Sequence, residues 1–190
     1  MRTGGATVTV FGSALPSPGE DAYEIARELG RSLAQAGMRL CNGGYGGTME
    51  AAARGAREVS GGCASVRTIG VVCDLFASRA ANPWIDDVRR TATLFERLEQ
   101  LIALGDAYVV LPGGTGTLLE LAAVLELTSK GIIRTRPIIL LGRHWEGVLD
   151  VAREGAGQGS SRALRVNTVT SVEECVDSLL NALGDHTDEL

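Results

Sequence analysis

A chain of 190 residues has the length of one domain and can bury a substantial core, so we expect a single domain over residues 1–190. The net charge of -5 lacks the basic footprint of proteins that bind DNA or RNA, so no nucleic-acid partner is expected. No stretch approaches the roughly 18 apolar residues of a membrane span and no apolar leader precedes the first polar segment, which predicts a cytoplasmic protein without membrane association.

Short apolar runs alternate with helical patterns along the chain. Strands are predicted over residues 7–11, 38–41, 68–72, 107–111, 137–141 and 166–169. Helices are predicted over residues 20–36, 49–58, 91–104, 115–130, 145–152 and 172–183. Residues 73–88 have no clear period and are predicted to form a long loop. This alternation predicts the α/β class, with a single Rossmann-like, doubly wound domain whose parallel sheet is flanked by helices.

Three glycine-rich turns follow predicted strands. Their candidate phosphate-binding or nucleotide-binding residues are Gly12, Ser13, Gly43, Gly44, Gly46, Gly47, Thr48, Gly113, Gly114, Thr115, Gly116 and Thr117. Glycine lets a ligand approach the backbone, and the first N–H groups of a helix favour phosphate. If the predicted strands have the order 3-2-1-4-5, the three turns lie along one edge of the sheet and can converge on one ligand. The alternative for each turn is a tight connection with ordinary helix caps at the hydroxyl residues.

Other phosphate and metal chemistries are not favoured. The dinucleotide fingerprint G-x-G-x-x-G fails because Met49 and Leu119 stand where its last glycine belongs. The only lysine, Lys130, is not in a Walker motif, and its place at a helix end makes a pyridoxal enzyme improbable. No C-x-x-C pair occurs, so neither a metal site nor a disulfide framework is implied by Cys41, Cys63, Cys73, Cys175, His144 and His186.

The segment Pro112-Gly113-Gly114-Thr115-Gly116-Thr117-x-x-Glu120 resembles the P-G-G-x-G-T-x-x-E motif of the LOG family. That family comprises cytokinin riboside 5'-monophosphate phosphoribohydrolases, often mislabelled lysine decarboxylases. Gly12-Ser13, the loop and helix over 43–50 and Asn82-Pro83 occur in matching order, so the resemblance spans about residues 7–150. It implies a Rossmann-like fold, a homodimer, no cofactor, and an Arg and a Glu that cleave the N-glycosidic bond of nucleoside 5'-monophosphates.

The resemblance assigns the catalytic roles to Glu120 and Arg97. Leu98 replaces the lysine of the family's Arg-Lys pair, Leu119 replaces a residue that is often acidic, and residues 46–50 depart from the usual G-L-M-G ending. These departures resemble a divergent bacterial branch that is similar to molybdenum-cofactor carrier proteins. We therefore predict a phosphoribohydrolase acting on a small nucleoside monophosphate. The alternative is a non-catalytic carrier or sensor of a nucleotide or molybdopterin-type cofactor.

Each candidate side chain also has a structural interpretation. Glu120 lies on a helix that is apolar nearly all round, so it either reaches a cleft or pairs with an arginine. Arg97 could instead be a solvated residue of a charged face that includes Arg89 and Arg90. Tyr45 and Trp84 could stack on a base, although packing is the favoured interpretation for both.

Overall fold

The computed structural model describes residues 5–59, 68–76, 80–155 and 165–184. In this part of the chain seven strands form one parallel sheet. They are β1 (Thr7–Phe11), β2 (Arg39–Asn42), β3 (Thr68–Cys73), β4 (Asp87–Thr91), β5 (Ala107–Val110), β6 (Ile138–Leu141) and β7 (Val166–Val169). Their order is β4-β3-β2-β1-β5-β6-β7. Cys63 and His186 lie outside the described residues.

Helices cover both faces of the sheet. They are α1 (Asp21–Gln35), α2 (Thr48–Val59), α3 (Leu94–Leu104), α4 (Thr115–Ser129), α5 (Glu146–Gly155) and α6 (Val172–Gly184). One apolar core joins the sheet to α1, α2 and α6, and a second joins the opposite face to α3, α4 and α5. Successive residues of a strand point to opposite faces, so Val10 belongs to the first core and Phe11 to the second. The predicted doubly wound α/β fold is confirmed.

The strand β4 was missed by the sequence prediction, which placed a loop over residues 73–88 and began a helix at Thr91. The chain instead forms a short 3-10 turn at Asp74–Phe76, and β4 then pairs in parallel with β3. The helix α3 begins at Leu94, where the Thr93 hydroxyl accepts a hydrogen bond from the Glu96 N–H at 3.1 Å. Edge position explains the error, because β4 exposes Val88, Arg89 and Arg90 and so has no apolar run.

The order in which strands are added to the sheet changes direction at β1, and this determines where a ligand can bind. The predicted order 3-2-1-4-5 corresponds to β3-β2-β1-β5-β6, which is confirmed, with β4 added outside it. The strand β1 lies between β2 and β5. The chain adds β2, β3 and β4 on one side of β1 and then returns to add β5, β6 and β7 on the other side. A crevice therefore opens at the carboxyl ends of β1 and β5, where ligands bind in this class of sheet. No helix in the described ranges is both long enough and apolar enough to cross a bilayer.

Candidate functional site

A cavity of about 300 Å³ lies at the carboxyl ends of β1 and β5. Its walls come from the turn after β1, the loop before α2, the 3-10 turn, and the helices α3 and α4. The lining residues are Gly12, Ser13, Ala14, Leu15, Tyr45, Met49, Phe76, Arg97, Gly114, Thr115, Gly116, Thr117 and Glu120. The cavity thus brings together the first and third glycine turns and both candidate catalytic residues.

Glu120 and Arg97 form a buried ion pair in this cavity. Each is 8% exposed, so the interpretation of Arg97 as a solvated residue beside Arg89 and Arg90 is wrong. Arg97 donates from Nη1 to Glu120 Oε1 at 3.4 Å and from Nε to the Val71 carbonyl at 2.9 Å. Burial raises the pKa of Glu120 to about 7, although the positive charge of Arg97 and its hydrogen bond act in the opposite direction. Glu120 therefore exchanges a proton near neutral pH.

The Arg97 side chain is held on several sides. Its guanidinium carbon lies 5.5 Å from the centroid of the Tyr45 ring, within the range of a cation–π contact. The Tyr45 hydroxyl accepts a hydrogen bond from the Cys73 N–H at 2.9 Å, which fixes the ring. A Cβ at Gly43 would overlap Nη2 of Arg97, so glycine at that position leaves room for the guanidinium. These contacts hold Arg97 in place before any ligand arrives.

The amino terminus of α4 forms the wall opposite Arg97. Gly114 precedes its first turn and no side chain caps the helix. A Cβ at Gly114 or Gly116 would meet no atom within 4 Å, so the backbone there is open to a ligand. Gly113 is not in the lining, and a Cβ on it would overlap the buried Thr117 side chain. An uncapped helix terminus with free space in front of it favours an anion.

The second glycine turn supports the cavity without lining it at its glycines. Thr48 donates from its backbone N–H and its hydroxyl to the Ser13 carbonyl, at 2.8 and 3.0 Å. Gly44 and Gly47 have φ angles of 75° and 69°, and a Cβ at Gly47 would overlap the same carbonyl. Gly43, Gly44, Gly46, Gly47 and Thr48 of this turn are outside the cavity lining, whereas Tyr45 between them belongs to it. The phosphate-binding role of the turn stays a prediction, while its contacts show that it positions Ser13 and Arg97.

Comparisons with known proteins identify the family of the chain. A protein-family model described as "Possible lysine decarboxylase" matches residues 49–182. A Mycobacterium tuberculosis (strain ATCC 25618 / H37Rv) protein named cytokinin riboside 5'-monophosphate phosphoribohydrolase is 34% identical over 152 residues, covering 77% of this chain and 76% of the relative. The chain belongs to the LOG family.

A second LOG relative and a solved structure complete the comparison. The Rhodococcoides fascians protein named cytokinin riboside 5'-monophosphate phosphoribohydrolase is 30% identical over 158 residues, covering 80% of this chain and 77% of the relative. The molybdenum cofactor carrier protein of Chlamydomonas reinhardtii superposes with a TM-score of 0.73 at 24% identity, covering 94% of this chain and 98% of that one. At this identity the second likeness shows the fold alone.

Sequence reasoning missed three apolar lining residues of this LOG-family cavity, namely Leu15, Met49 and Phe76. Phe76 lay in the predicted loop, where the only available signal was that the loop follows the strand two places from β1. Tyr45 does line the cavity, whereas Trp84 packs beside the first core and lies 5.6 Å from the Arg54 guanidinium carbon. Trp84 is therefore not positioned to stack on a ligand in this cavity.

The described cysteines lie away from the cavity lining. Cys41, Cys73 and Cys175 are buried and free, and desolvation raises the pKa of Cys41 to about 12. Over the described residues, no three His, Cys, Asp or Glu side chains are grouped to hold a metal ion. Among the described lining residues, the functional groups are one carboxyl group, one guanidinium, hydroxyls and backbone amides.

Proposed function

We propose that the protein hydrolyses the N-glycosidic bond of nucleoside 5'-monophosphates, consuming water and releasing a free base and ribose 5-phosphate. One observation carries this proposal: the buried Glu120 carboxyl, paired with Arg97, opens into the same cavity as the uncapped amino terminus of α4. The two LOG relatives named as phosphoribohydrolases support the same class of reaction. A volume of about 300 Å³ is at the small end of ligand sites, which suits a mononucleotide better than a dinucleotide.

The phosphate of the substrate is assigned to the terminus of α4. Backbone N–H groups from Gly114 to Thr117 donate there, and the positive end of the helix dipole attracts the anion. Ser13 lies across the cavity on the turn after β1 and supplies a hydroxyl. Glu120 is on the same helix, about one turn beyond these amides. A phosphate bound at the terminus therefore leaves the ribose next to the carboxyl group.

The chemistry follows from the charge that develops on the ribose. As the bond from C1′ to the base nitrogen breaks, its electron pair leaves with the base and positive charge grows on the sugar. An ionised Glu120 stabilises that charge and accepts a proton from the water whose oxygen bonds to C1′. The departing base then takes a proton, which Glu120 can return. A carboxyl group with a pKa of about 7 is suited to both transfers.

The replacement of the family's lysine by Leu98 does not remove a charged group from this cavity. Leu98 lines a separate apolar groove between α3 and α4 and packs beside the second core. The proposed function therefore assigns Arg97 to orienting Glu120, and no role is needed at position 98. This placement favours the enzyme over the alternative of a non-catalytic nucleotide or molybdopterin-type carrier.

We also propose that the protein forms a homodimer, as the family resemblance implies. The apolar groove has a volume of about 390 Å³, and Phe95 and Ile132 at its walls are 76% and 68% exposed. A protruding apolar side chain beside a groove on the same surface fits a two-fold contact, in which the side chain of each copy enters the groove of the other. Light scattering should report a dimer for the wild type and a monomer for Phe95→Glu. A monomeric wild type would overturn the dimer.

The function is tested by incubating the wild type with AMP, GMP, CMP and UMP and measuring free base and ribose 5-phosphate. Glu120→Gln should lower kcat by roughly 10²–10⁴-fold, the usual contribution of a positioned acid–base group. Glu126→Gln is the matched control, since Glu126 lies on the same helix and is exposed. Release of no base from any nucleotide would overturn the enzyme proposal. Thermal stabilisation by a nucleotide without turnover would instead support the carrier.

A further inference from the structure

The aromatic side of the cavity has one ring that is free to contact a ligand. Tyr45 is 6% exposed, has Arg97 over its ring and has its hydroxyl tied to the Cys73 backbone. Phe76 is 41% exposed, and its ring stands perpendicular to that of Tyr45 with centroids 6.0 Å apart. A perpendicular contact covers at most one face of the Phe76 ring. A face or edge of Phe76 is therefore available in the cavity, whereas Tyr45 is occupied.

The contacts also give the order of groups across the cavity. Glu120 contacts Arg97, Arg97 lies over Tyr45, and Tyr45 contacts Phe76. Glu120 is next to the helix terminus that is assigned to phosphate. Phe76 is thus connected to Glu120 through the guanidinium and one ring, and both residues line the cavity. A nucleotide with its phosphate on α4 and its C1′ carbon near Glu120 can reach Phe76 with its base.

A second apolar side chain lines the same cavity near its opening. Leu15 is 87% exposed, and single exposed hydrophobic residues are ordinary on protein surfaces. Here, however, Leu15 and Phe76 line the same cavity, together with Ala14. The Leu15 N–H donates to the Ser13 hydroxyl at 3.1 Å, so Leu15 lies next to Ser13. The two apolar side chains give the cavity surface that can cover the face of a base.

We propose that Phe76, with Leu15, is the base-binding element of this site, and that it holds the base by stacking and apolar contact. This inference rests on the proposed function for the placement of phosphate and ribose. Stacking on an aromatic ring tolerates any base, because every base has a π face. The substrate class is accordingly nucleoside monophosphates in general, with purines favoured because their larger rings bury more apolar surface.

The test compares Phe76→Ala with Leu75→Ala, a neighbour on the same 3-10 turn that is 69% exposed and is not in the cavity lining. Loss of stacking should raise the KM for AMP by about 5- to 150-fold in Phe76→Ala, given 1–3 kcal/mol per stacked base. Phe76→Tyr should restore it, and Leu75→Ala should match the wild type. Inhibition by ribose 5-phosphate, which has no base, should be equal in all four proteins. Thermal melts of each variant confirm folding.

Two results would overturn the inference. They are an equal KM in Phe76→Ala and Leu75→Ala, and a loss of ribose 5-phosphate inhibition in Phe76→Ala that parallels its loss of AMP binding. If the wild type shows no turnover, the proposed function fails but binding still decides the inference. AMP should then raise Tm more than ribose 5-phosphate does, and Phe76→Ala should abolish that difference. Equal shifts in the wild type would overturn it.

Discussion

The guanidinium of Arg97 lies 3.4 Å from the carboxylate of Glu120, and both side chains are about nine-tenths buried. The two residues differ in their other partners. Arg97 also donates to the Val71 carbonyl and lies over Tyr45, whereas the Glu120 carboxyl accepts its hydrogen bond from Arg97. The charge on Glu120 is therefore favoured by its pairing with Arg97 and opposed by desolvation.

Removal of the arginine should destabilise the fold at alkaline pH. Arg97→Gln leaves the buried Glu120 carboxyl without its counter-ion, and because that carboxyl can take up a proton, its pKa of about 7 limits the electrostatic loss at pH 8 to about 1–2 kcal/mol. The loss should shrink toward pH 5, where Glu120 is protonated. Urea unfolding at pH 8 and pH 5 measures it. Arg90→Gln is the control, because Arg90 is exposed and pairs with exposed Asp74, so its change should stay within about 0.5 kcal/mol. Equal losses in the two variants would contradict the role of the pair.

The rate of hydrolysis should follow the ionisation of Glu120. If the carboxylate accepts a proton from water, kcat/KM should rise with pH up to about 7 and be level above it. Arg97→Gln should move the inflection to higher pH, because the positive charge that lowers the pKa of Glu120 is gone. A series of initial rates from pH 5 to pH 9 measures both. A rate that falls as pH rises through 7 would instead assign Glu120 the role of an acid.

The ionisation of Glu120 should also affect stability, but in the opposite direction: the rate rises with pH whereas the free energy of unfolding falls. Because folding raises the pKa of Glu120, the folded chain binds more protons than the unfolded one between about 4.5 and 7, and the stability that this supplies is lost as pH rises through 7. Glu120→Gln has no carboxyl at this position and so lacks this loss. Its free energy of unfolding should equal that of the wild type near pH 4.5. At pH 8 it should be higher than that of the wild type by at most about 3 kcal/mol, at 1.4 kcal/mol per pKa unit. Glu126→Gln should show no such trend in urea unfolding.

The sequence predicts the parts of this site that depend on local pattern. Apolar runs and the P-G-G-x-G-T-x-x-E segment place Gly114, Thr117 and Glu120 at a helix start beside a buried strand, as the structure has them. The pairing with Arg97 was one of two options left open for Glu120. It depends on how α3 crosses the sheet next to α4, and no spacing within either helix specifies that crossing.

Other parts could not be predicted because they depend on contacts between distant segments. Gly43 looks like a phosphate ligand in the sequence, but its lack of a side chain makes space for Arg97. Phe76 looks like one residue of a loop, and only the packing of that loop against Tyr45 brings it to the cavity. The strand β4 was missed because it is an edge strand that forms by pairing with β3, and its exposed arginines leave no apolar run in the sequence.

Two glycine substitutions should distinguish a glycine that supports the cavity, Gly47, from one that contacts the ligand, Gly116. Gly47→Ala introduces a side chain at a φ of 69° and against the Ser13 carbonyl, so it should cost about 1–3 kcal/mol or more in urea unfolding. Gly116→Ala adds a methyl group in open space within α4, where alanine is favoured over glycine by about 1 kcal/mol, so stability should be unchanged or higher.

The same methyl group at position 116 projects from the first turn of the helix assigned to phosphate. It should therefore raise the KM for AMP and weaken inhibition by ribose 5-phosphate together, since both ligands carry the 5′-phosphate. This pattern differs from that expected for Phe76→Ala, which should affect AMP alone. If Gly116→Ala binds both ligands as the wild type does, the phosphate does not rest on the α4 terminus, and the direction assigned to the nucleotide in the cavity is wrong.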